Sequence, residues 1–454
     1  MKTMKNKIFY IVTTFILLSF CSCDKQLDTK PSSSIDVNDA FKTSDDVIGA
    51  LKGCYDDLGD GDFYGGQLFV GADLLGDSDQ LNWSGTYEQF TQIHNKAIPV
   101  NNSFVADTWL AGYKTINDAN NVLANIDLVV DAEKERVEGE AKFVRGSAYF
   151  DLIRMYAKAW NDGDPNNNDG VPLVLTPTTL ISEDSKVKRN TVAEVYAQAI
   201  SDLTDATQKC IEADNTYIYA TNIAAYAMLA RVYLQQQDYA NALQAENNAI
   251  KLALDNGYEL ASTYAAAFPA ADPPAYIPNT REDIFTMQVN ATSGINEFNT
   301  YYSENQRGDI QVNDSFFELY EPDDDRQNLY DGEYTLKFEN YYGSVRLIRL
   351  AELYLTRAEC NFRLGSSVGG KPSDDVNTVR ARVNLEPYNV NDLTLDAILR
   401  ERALELSFEG FTLHDEKRLE MNAGIFPWNS PKLVYPIPQR EIYANPNLTQ
   451  NEGY

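Results

Sequence analysis

The sequence predicts a mainly α-helical fold interrupted by a loop-rich insertion that carries short strands. Apolar residues recur at three- and four-residue intervals in residues 109–158, 221–254 and 346–364. Glycines collect in residues 59–103, and prolines break the helical pattern in residues 256–345. A chain of 454 residues that is 44% hydrophobic is long enough to bury a large core around such helices.

The helical pattern is clearest in residues 221–254, which predict two helices joined at residues 236–238. Each helix has one apolar face, and alanines such as Ala230 and Ala242 stand where the two helices must pack closely. The segment resembles a tetratricopeptide unit of about 34 residues, with Gln237 in place of the usual turn glycine. Because one unit cannot bury its apolar face alone, we expect a tetratricopeptide-like scaffold of stacked helix pairs. An arbitrary amphipathic helix pair is the alternative interpretation.

The same spacing predicts further helices, at residues 36–58, 109–130, 135–158, 191–213 and 346–364. Thr191 followed by Glu194 fits a capping box at the start of one of them. Residues 282–289, EDIFTMQV, are predicted to form a strand inside the insertion.

Composition excludes several classes of function. The formal net charge of -29 makes nucleic acid an unsuitable partner, because phosphate binding needs clustered lysine and arginine. The chain has two histidines, so histidine-rich metal chemistry is excluded, and its five cysteines fit neither a disulfide framework nor a zinc site. The oxygen-rich residues 161–170 lack the glycine and the closing glutamate of a helix-loop-helix calcium site, which favours a solvated turn. We therefore expect no metal and no cofactor.

The N-terminus predicts a secretion signal that ends at a lipid-modified cysteine. Three lysines precede the apolar run Ile8–Phe20, which is too short to span a bilayer. The following Cys-Ser-Cys resembles a bacterial lipoprotein processing site, and the small Ser22 favours cleavage before Cys23. We expect residues 1–22 to be the signal peptide, Cys23 to carry the lipid and residues 23–35 to form a polar tether. An ordinary signal peptide without lipid is the alternative.

Residues 59–103 combine seven glycines with scattered aromatic side chains, a composition typical of surface loops. Within them, Asp79 and Asn82 stand close to Trp83. Sugar recognition needs this combination, because carboxylate and amide groups bind ring hydroxyls while a flat aromatic ring packs on the C–H face of the sugar. A structural loop with a buried Trp83 is the alternative interpretation. The insertion adds two more aromatic clusters, at residues 298–302 and 341–342.

Two pairs of glutamates at helical spacing raise the question of glycoside hydrolysis, which uses paired carboxylates. They are Glu352 with Glu359, and Glu405 with Glu409. Their helices also carry arginines at spacings that favour ion pairing, so we interpret the glutamates as structural. The sequence contains no nucleophile elbow, phosphate loop or metal-binding histidine motif. We therefore expect no enzymatic activity.

Several motifs resemble the SusD/RagB family of Bacteroidetes outer-membrane lipoproteins. Leu-Asp-Thr-Lys-Pro follows Cys23 shortly, and residues 349–359, RLAELYLTRAE, are similar to the most recognisable helix of the family. Residues 399–410 and the C-terminal residues 435–454 fit the family in the same order along the chain. Thr412 departs from the pattern, because the family usually has arginine there.

The resemblance implies an α-α superhelix that binds glycans at the cell surface and delivers them to a SusC-like TonB-dependent transporter in the outer membrane. A RagB-like protein that captures peptides is the alternative, and a glycoside hydrolase is a third hypothesis. We expect one domain over residues 36–454. Its helical scaffold should comprise residues 105–255 and 346–420. Its two ligand-facing segments should be residues 59–103 and 256–345. The predicted ligand-binding residues are Asp79, Asn82, Trp83, Tyr301 and Tyr302.

Overall fold

Packed helices make up most of the structure, a computed structural model that describes residues 40–76, 80–179, 182–211 and 217–454. The α-helices are α1 Ser44–Leu58, α2 Gln67–Leu75, α3 Glu88–His94, α4 Ser103–Ala124, α5 Asp131–Tyr156, α6 Val192–Lys209, α7 Asn222–Gln235, α8 Tyr239–Asp255, α9 Glu297–Tyr302, α10 Asp314–Phe317, α11 Leu350–Leu364, α12 Pro372–Arg380, α13 Leu395–Glu405, α14 Thr412–Leu419 and α15 Gln439–Ala444. The strands are β1 Leu81–Trp83, β2 Asp283–Met287, β3 Ile310–Val312, β4 Tyr330–Asp331, β5 Tyr334–Thr335 and β6 Val345–Arg349. The predicted mainly α-helical fold is confirmed.

The predicted helix pair at residues 221–254 is present as α7 and α8. Thr221 and Asp238 cap the two helices, because their side chains accept hydrogen bonds from backbone N–H groups of the first turns. Gln237 adopts a left-handed conformation with φ of 58° at the turn between them. This backbone conformation is the physical reason why a glycine is usual at that position.

Neighbouring helices cover the apolar faces of this pair, as the repeat pattern requires. Helix α5 packs between α4 and α6, and α6 packs against α7. Helix α8 packs against α11, so the scaffold resumes after the insertion at residues 256–345. Leu234, Leu243 and Cys360 meet in a small buried cluster at this junction. The packing of α8 on α11 therefore anchors both ends of the insertion on the scaffold.

Three short antiparallel ribbons organise the loop-rich segments. The predicted strand at residues 282–289 is present as β2, which pairs with β6. Strand β1 pairs with β3, so the segment at residues 59–103 is joined to the distant insertion. Strands β4 and β5 form a small hairpin. These pairings place the two loop-rich segments side by side.

The prediction that residues 59–103 form surface loops is wrong for two stretches, which are the helices α2 and α3. Every residue of α2 is buried. A Cβ atom at Gly71 of α2 would overlap the hydroxyl of Tyr435. The glycine therefore allows close packing of a buried helix, a role that its composition does not distinguish from that of a loop glycine.

Buried ion pairs connect the insertion to the scaffold. Arg349 donates to Glu282 at 3.0 Å, to Glu405 at 2.5 Å and to Glu409 at 2.8 Å. Arg382 adds hydrogen bonds to Glu282 and Glu405. Since removal of one partner leaves buried charges without compensation, this network makes the junction intolerant of substitution.

No helix within the described ranges is both long enough and apolar enough to cross a membrane. The predicted signal peptide, Cys23 and the tether lie outside the described residues.

Candidate ligand-binding cleft

A cleft of about 300 Å³ opens in the insertion. We call it the amide cleft, and its lining consists of residues 289–296, Asn299, Thr300, Tyr341 and Tyr342. Its volume lies at the lower end of the range of about 300–1,000 Å³ that is common for small-molecule sites. Every lining residue is uncharged, and amide, hydroxyl and aromatic groups dominate.

A tight turn at Asn290 forms one wall of the amide cleft. The Oδ1 atom of Asn290 accepts hydrogen bonds from the backbone N–H groups of Thr292 at 2.9 Å and Ser293 at 3.1 Å. The backbone N–H of Asn290 donates to the carbonyl of Ser293 at 2.9 Å. Gly294 continues the turn with φ of 80°, and a Cβ atom there would overlap the carbonyl oxygen of Gln288. The wall is therefore held by hydrogen bonds within the turn, from both its backbone and the side chain of Asn290.

Helix α9 forms the second wall. Asn296 caps this helix by accepting a hydrogen bond from the backbone N–H of Asn299 at 3.1 Å. The amide of Asn296 donates to the carbonyl of Gly343 at 2.8 Å, and that of Asn299 donates to the carbonyl of Phe338 at 2.6 Å. These bonds tie α9 to the segment that carries the third wall.

Tyr341 and Tyr342 form the third wall. Their rings meet edge to face with centroids 4.9 Å apart, and Tyr341 is 47% exposed. An exposed ring beside amide and hydroxyl groups suits a ligand with both C–H faces and hydroxyls. The arrangement fits an uncharged, polyhydroxylated molecule.

Two of the predicted residues, Asn82 and Trp83, do not line this cleft, and a third, Asp79, lies outside the described residues. Asp79 belongs to the undescribed residues 77–79. Asn82 is exposed on β1, and its amide donates to Gln311 at 3.1 Å. Trp83 is only 8% exposed, and its indole N–H donates to Thr91 at 2.9 Å. Trp83 is therefore buried in this structure, as the alternative interpretation of a structural tryptophan expected.

Tyr301 and Tyr302 are buried beneath the surface that they were expected to form. Tyr301 packs against Trp83 with ring centroids 6.1 Å apart, so the two predicted aromatic residues do meet. Tyr302 is 0% exposed and donates from its hydroxyl to Asp73 at 2.9 Å. A sugar could stack on Tyr302 only if its ring left the core. Ligand contact by the five predicted residues stays a prediction.

Sequence reasoning singled out residues 298–302 as an aromatic cluster on a loop, whereas the segment is helix α9 and the residues chosen on it pack inward. On α9, Asn299 and Thr300 line the cleft, whereas Tyr301 and Tyr302 pack inward. The turn wall has a detectable signal, because an asparagine followed closely by Thr-Ser-Gly favours a side-chain-stabilised turn. No sequence pattern indicated that this turn and Tyr341 line the same cleft, because the two segments lie far apart in the sequence.

The glutamate pairs are engaged in structural ion pairs, as interpreted from sequence. Glu352 binds Arg231 with a closest distance of 2.7 Å, and Glu359 binds Arg418 with the same closest distance. Although burial opposes ionisation of Glu405, nearby arginines lower its pKa to about 2. A carboxyl group in that state is a poor proton donor at neutral pH.

The described residues show no arrangement of three or more histidine, cysteine or acidic side chains that could hold a metal ion. In the oxygen-rich residues 161–170, the carboxylate of Asp164 accepts hydrogen bonds from Asn166 at 3.0 Å and Asn167 at 2.6 Å. These contacts are those of a self-supported turn.

Comparisons with known proteins identify the family. Residues 27–234 match a SusD-like family model described as starch-binding associating with outer membrane, and residues 328–424 match the model of the SusD family. A SusD-like protein of Formosa agariphila, P2, is 23% identical over 530 residues, which cover 99% of this chain and 100% of that protein. The starch-binding protein SusD of Bacteroides thetaiotaomicron is 36% identical over 123 residues, which cover 24% of this chain and 21% of that protein.

The fold comparison agrees. The crystal structure of a SusD superfamily protein from Bacteroides thetaiotaomicron matches with a TM-score of 0.80 at 23% identity, over 90% of this chain and 100% of the other. Since two family models, a full-length relative and the fold agree, this chain belongs to the SusD/RagB family.

Proposed function

We propose that this protein captures neutral oligosaccharides or polysaccharides at the cell surface and delivers them to a SusC-like TonB-dependent transporter. The amide cleft is the observation that carries the proposal, because it combines an exposed Tyr341 with amide and hydroxyl groups and no charged side chain. Membership of a family described as starch-binding supports a carbohydrate as the ligand.

The net charge of the chain disfavours an anionic ligand. With a formal charge of -29, the protein repels anionic polysaccharides at long range. A peptide brings a charged amino group and a carboxylate, for which the lining of the amide cleft offers no opposite charge. Peptide capture in the manner of RagB therefore remains the alternative, with less support from the site.

The proposed capture involves no bond cleavage. Glu405 and Glu409 are both buried in ion pairs with Arg349, so neither offers the free carboxyl group that a hydrolytic acid needs beside a substrate. Incubation with the bound polysaccharide should release no new reducing ends. Their appearance would favour the hydrolase hypothesis instead.

We further propose that a lipid on Cys23 anchors the protein to the outer membrane. The short apolar run Ile8–Phe20 and the Cys-Ser-Cys that follows it support this proposal. Mass spectrometry of the membrane-extracted protein should find a lipid at Cys23. An unmodified mature N-terminus would support the ordinary signal peptide.

Affinity electrophoresis tests the central proposal. The protein lacking residues 1–23 should be retarded by at least one neutral polysaccharide among amylopectin, laminarin and xyloglucan, and not by alginate. Tyr341→Ala should weaken binding by about 1 kcal/mol, or about fivefold, because one stacking face is lost. Tyr443→Ala is the matched control, since Tyr443 is also exposed but lies outside the cleft lining. Equal effects of the two variants would contradict the proposed site.

Affinity electrophoresis should also be applied to variants of Asn82 and Trp83, two ligand-binding residues that the sequence predicts. Asn82→Ala tests an exposed predicted contact, whereas Trp83→Ala also removes a buried ring and needs a parallel stability measurement. Isolation of this protein from native membranes should also recover the transporter. Its consistent absence from mild detergent extracts would count against delivery to that partner.

A further inference from the structure

We propose that the ligand path continues from the amide cleft over the exposed face of the β1–β3 ribbon, which forms a second subsite for the same glycan chain. This inference rests on the proposed function and further specifies that the bound glycan is long enough to occupy both subsites. The ribbon face is defined by Asn82 of β1, Gln311 of β3 and the neighbouring Tyr334. The ligand class is then an extended, uncharged glycan rather than a mono- or disaccharide.

Residue Arg307 connects the two surfaces. Its backbone N–H donates to the carbonyl of Thr300 at 3.1 Å, and Thr300 lines the amide cleft. Its guanidinium donates to Asp309 at 2.5 Å and to Thr86 at 3.2 Å. The carbonyl of Asp309 in turn accepts from the backbone N–H of Ser84, directly after β1. A continuous chain of hydrogen bonds therefore joins the cleft wall to the ribbon.

Alternation along the ribbon separates an apolar side from a polar side. Leu81 pairs with Val312 and Trp83 pairs with Ile310, and all four side chains are buried. Asn82 pairs with Gln311 between them, and both side chains are directed to the other side. A flat polar surface thus lies over an apolar support.

The ribbon face offers a row of hydrogen-bonding groups. The amide of Asn82 donates to Gln311 at 3.1 Å, and the amide of Gln311 donates to Glu333 at 2.7 Å and to the hydroxyl of Tyr334 at 3.0 Å. Such linked groups hold each other in position, so they are oriented before a ligand arrives. Sugar hydroxyls, which both donate and accept, match these groups.

Buried aromatic contacts make the two subsites one rigid unit. Trp83 lies under the ribbon, and Tyr301 of α9 packs against it and against Phe90. Helix α9 also supplies Asn299 and Thr300 to the amide cleft. The aromatic residues therefore position both surfaces, and a chain bound across them benefits from a fixed spacing.

Calorimetry with glycans of two lengths tests this inference. The probes are maltose with maltoheptaose and laminaribiose with laminariheptaose. The ribbon variant is N82A/Q311A, and the matched control is Q208A/N248A, which removes exposed amides from α6 and α8. Circular dichroism checks that all variants fold.

We expect the longer ligand to bind the wild-type protein at least about fivefold more tightly than the shorter ligand. The N82A/Q311A variant should lose that difference and keep the wild-type affinity for the short ligand, while Q208A/N248A changes neither. Tyr341→Ala should weaken binding of both lengths.

The failures of the two proposals are distinguishable. If Tyr341→Ala weakens binding of both lengths while N82A/Q311A behaves as the control, the second subsite is overturned and the amide cleft stands. If no probe binds, or if Tyr341→Ala leaves the affinities for both lengths unchanged, the proposed function is overturned together with the subsite.

Discussion

Tyr302 donates a hydrogen bond from its hydroxyl to the carboxylate of Asp73 at 2.9 Å, and both side chains are buried. The other carboxylate oxygen of Asp73 accepts from the backbone N–H of Gly410 at 2.9 Å. Through these bonds Asp73 connects α2 with α9, which forms a wall of the amide cleft, and with the segment before α14. One buried carboxylate therefore supports the site from below.

Burial raises the pKa of Asp73 to about 7, although the hydrogen bonds from Tyr302 and Gly410 oppose the shift. Because the folded-state pKa lies above the unfolded value of about 3.9, its protonation contributes stability that is complete below about pH 4. That contribution is lost as pH rises through about 7, by at most about 1.4 kcal/mol per pH unit. Asp73→Asn removes this titration.

Urea unfolding between pH 5 and pH 8 should therefore show that the wild-type protein loses stability relative to Asp73→Asn up to about pH 7, after which the difference becomes constant. Asp255→Asn, an exposed change on α8, is the control. A stability difference that does not depend on pH would contradict the raised pKa.

Arg349→Met should destabilise the protein by about 3–5 kcal/mol, because it leaves Glu282, Glu405 and Glu409 buried without their shared partner. The control is Arg281→Met, which breaks an exposed pair with Glu259 and should cost about 0–1 kcal/mol. Chemical denaturation measures both variants. Similar losses for the buried and the exposed arginine would argue against a structural role for the network.

Gly71→Ala should destabilise by about 1–3 kcal/mol, because the added methyl group overlaps the hydroxyl of Tyr435. Gly49→Ala, in α1, meets no atom within 4 Å and should instead stabilise by about 0.5–1 kcal/mol. Thermal unfolding distinguishes the two signs. Adding Tyr435→Phe to Gly71→Ala should recover part of the loss, and a lack of recovery would place the overlap elsewhere.

Asn290→Ala should weaken glycan binding about fivefold with little change in melting temperature, because the turn wall of the cleft loses its central acceptor. Asn290→Asp keeps the acceptor oxygens and should retain more of the affinity. Calorimetry with the polysaccharide that is bound most tightly provides the measurement. Equal losses in the two variants would show that the turn does not shape the site.

Local sequence patterns were sufficient for the scaffold. Thr191 and Glu194 form the predicted capping box at the start of α6, and the α7–α8 pair begins and ends close to its predicted bounds. These features depend on contacts within a few residues, so a single segment contains the information for them. A family motif supported the helix predicted at α11, whereas the buried helices α2 and α3 were not predicted.

The candidate site depended on contacts that no single segment contains. Trp83 and Tyr301 were expected to meet and do meet, but the choice between an exposed and a buried ring rests on the pairing of β1 with β3. The turn at Asn290 and the ring of Tyr341 lie far apart in the sequence, and the hydrogen bond from Asn296 to Gly343 is one of the contacts that bring them together.

By itself, the sequence determined that this chain builds stacked helix pairs, because helical periodicity and capping are local properties, and its motifs carried the resemblance to the SusD/RagB family. Only the tertiary structure decided which aromatic rings support the surface and which line the cleft. The physical reason is that the burial of a side chain depends on the distant segment packed against it, as β3 packs against Trp83 and the segment at Gly343 packs against α9.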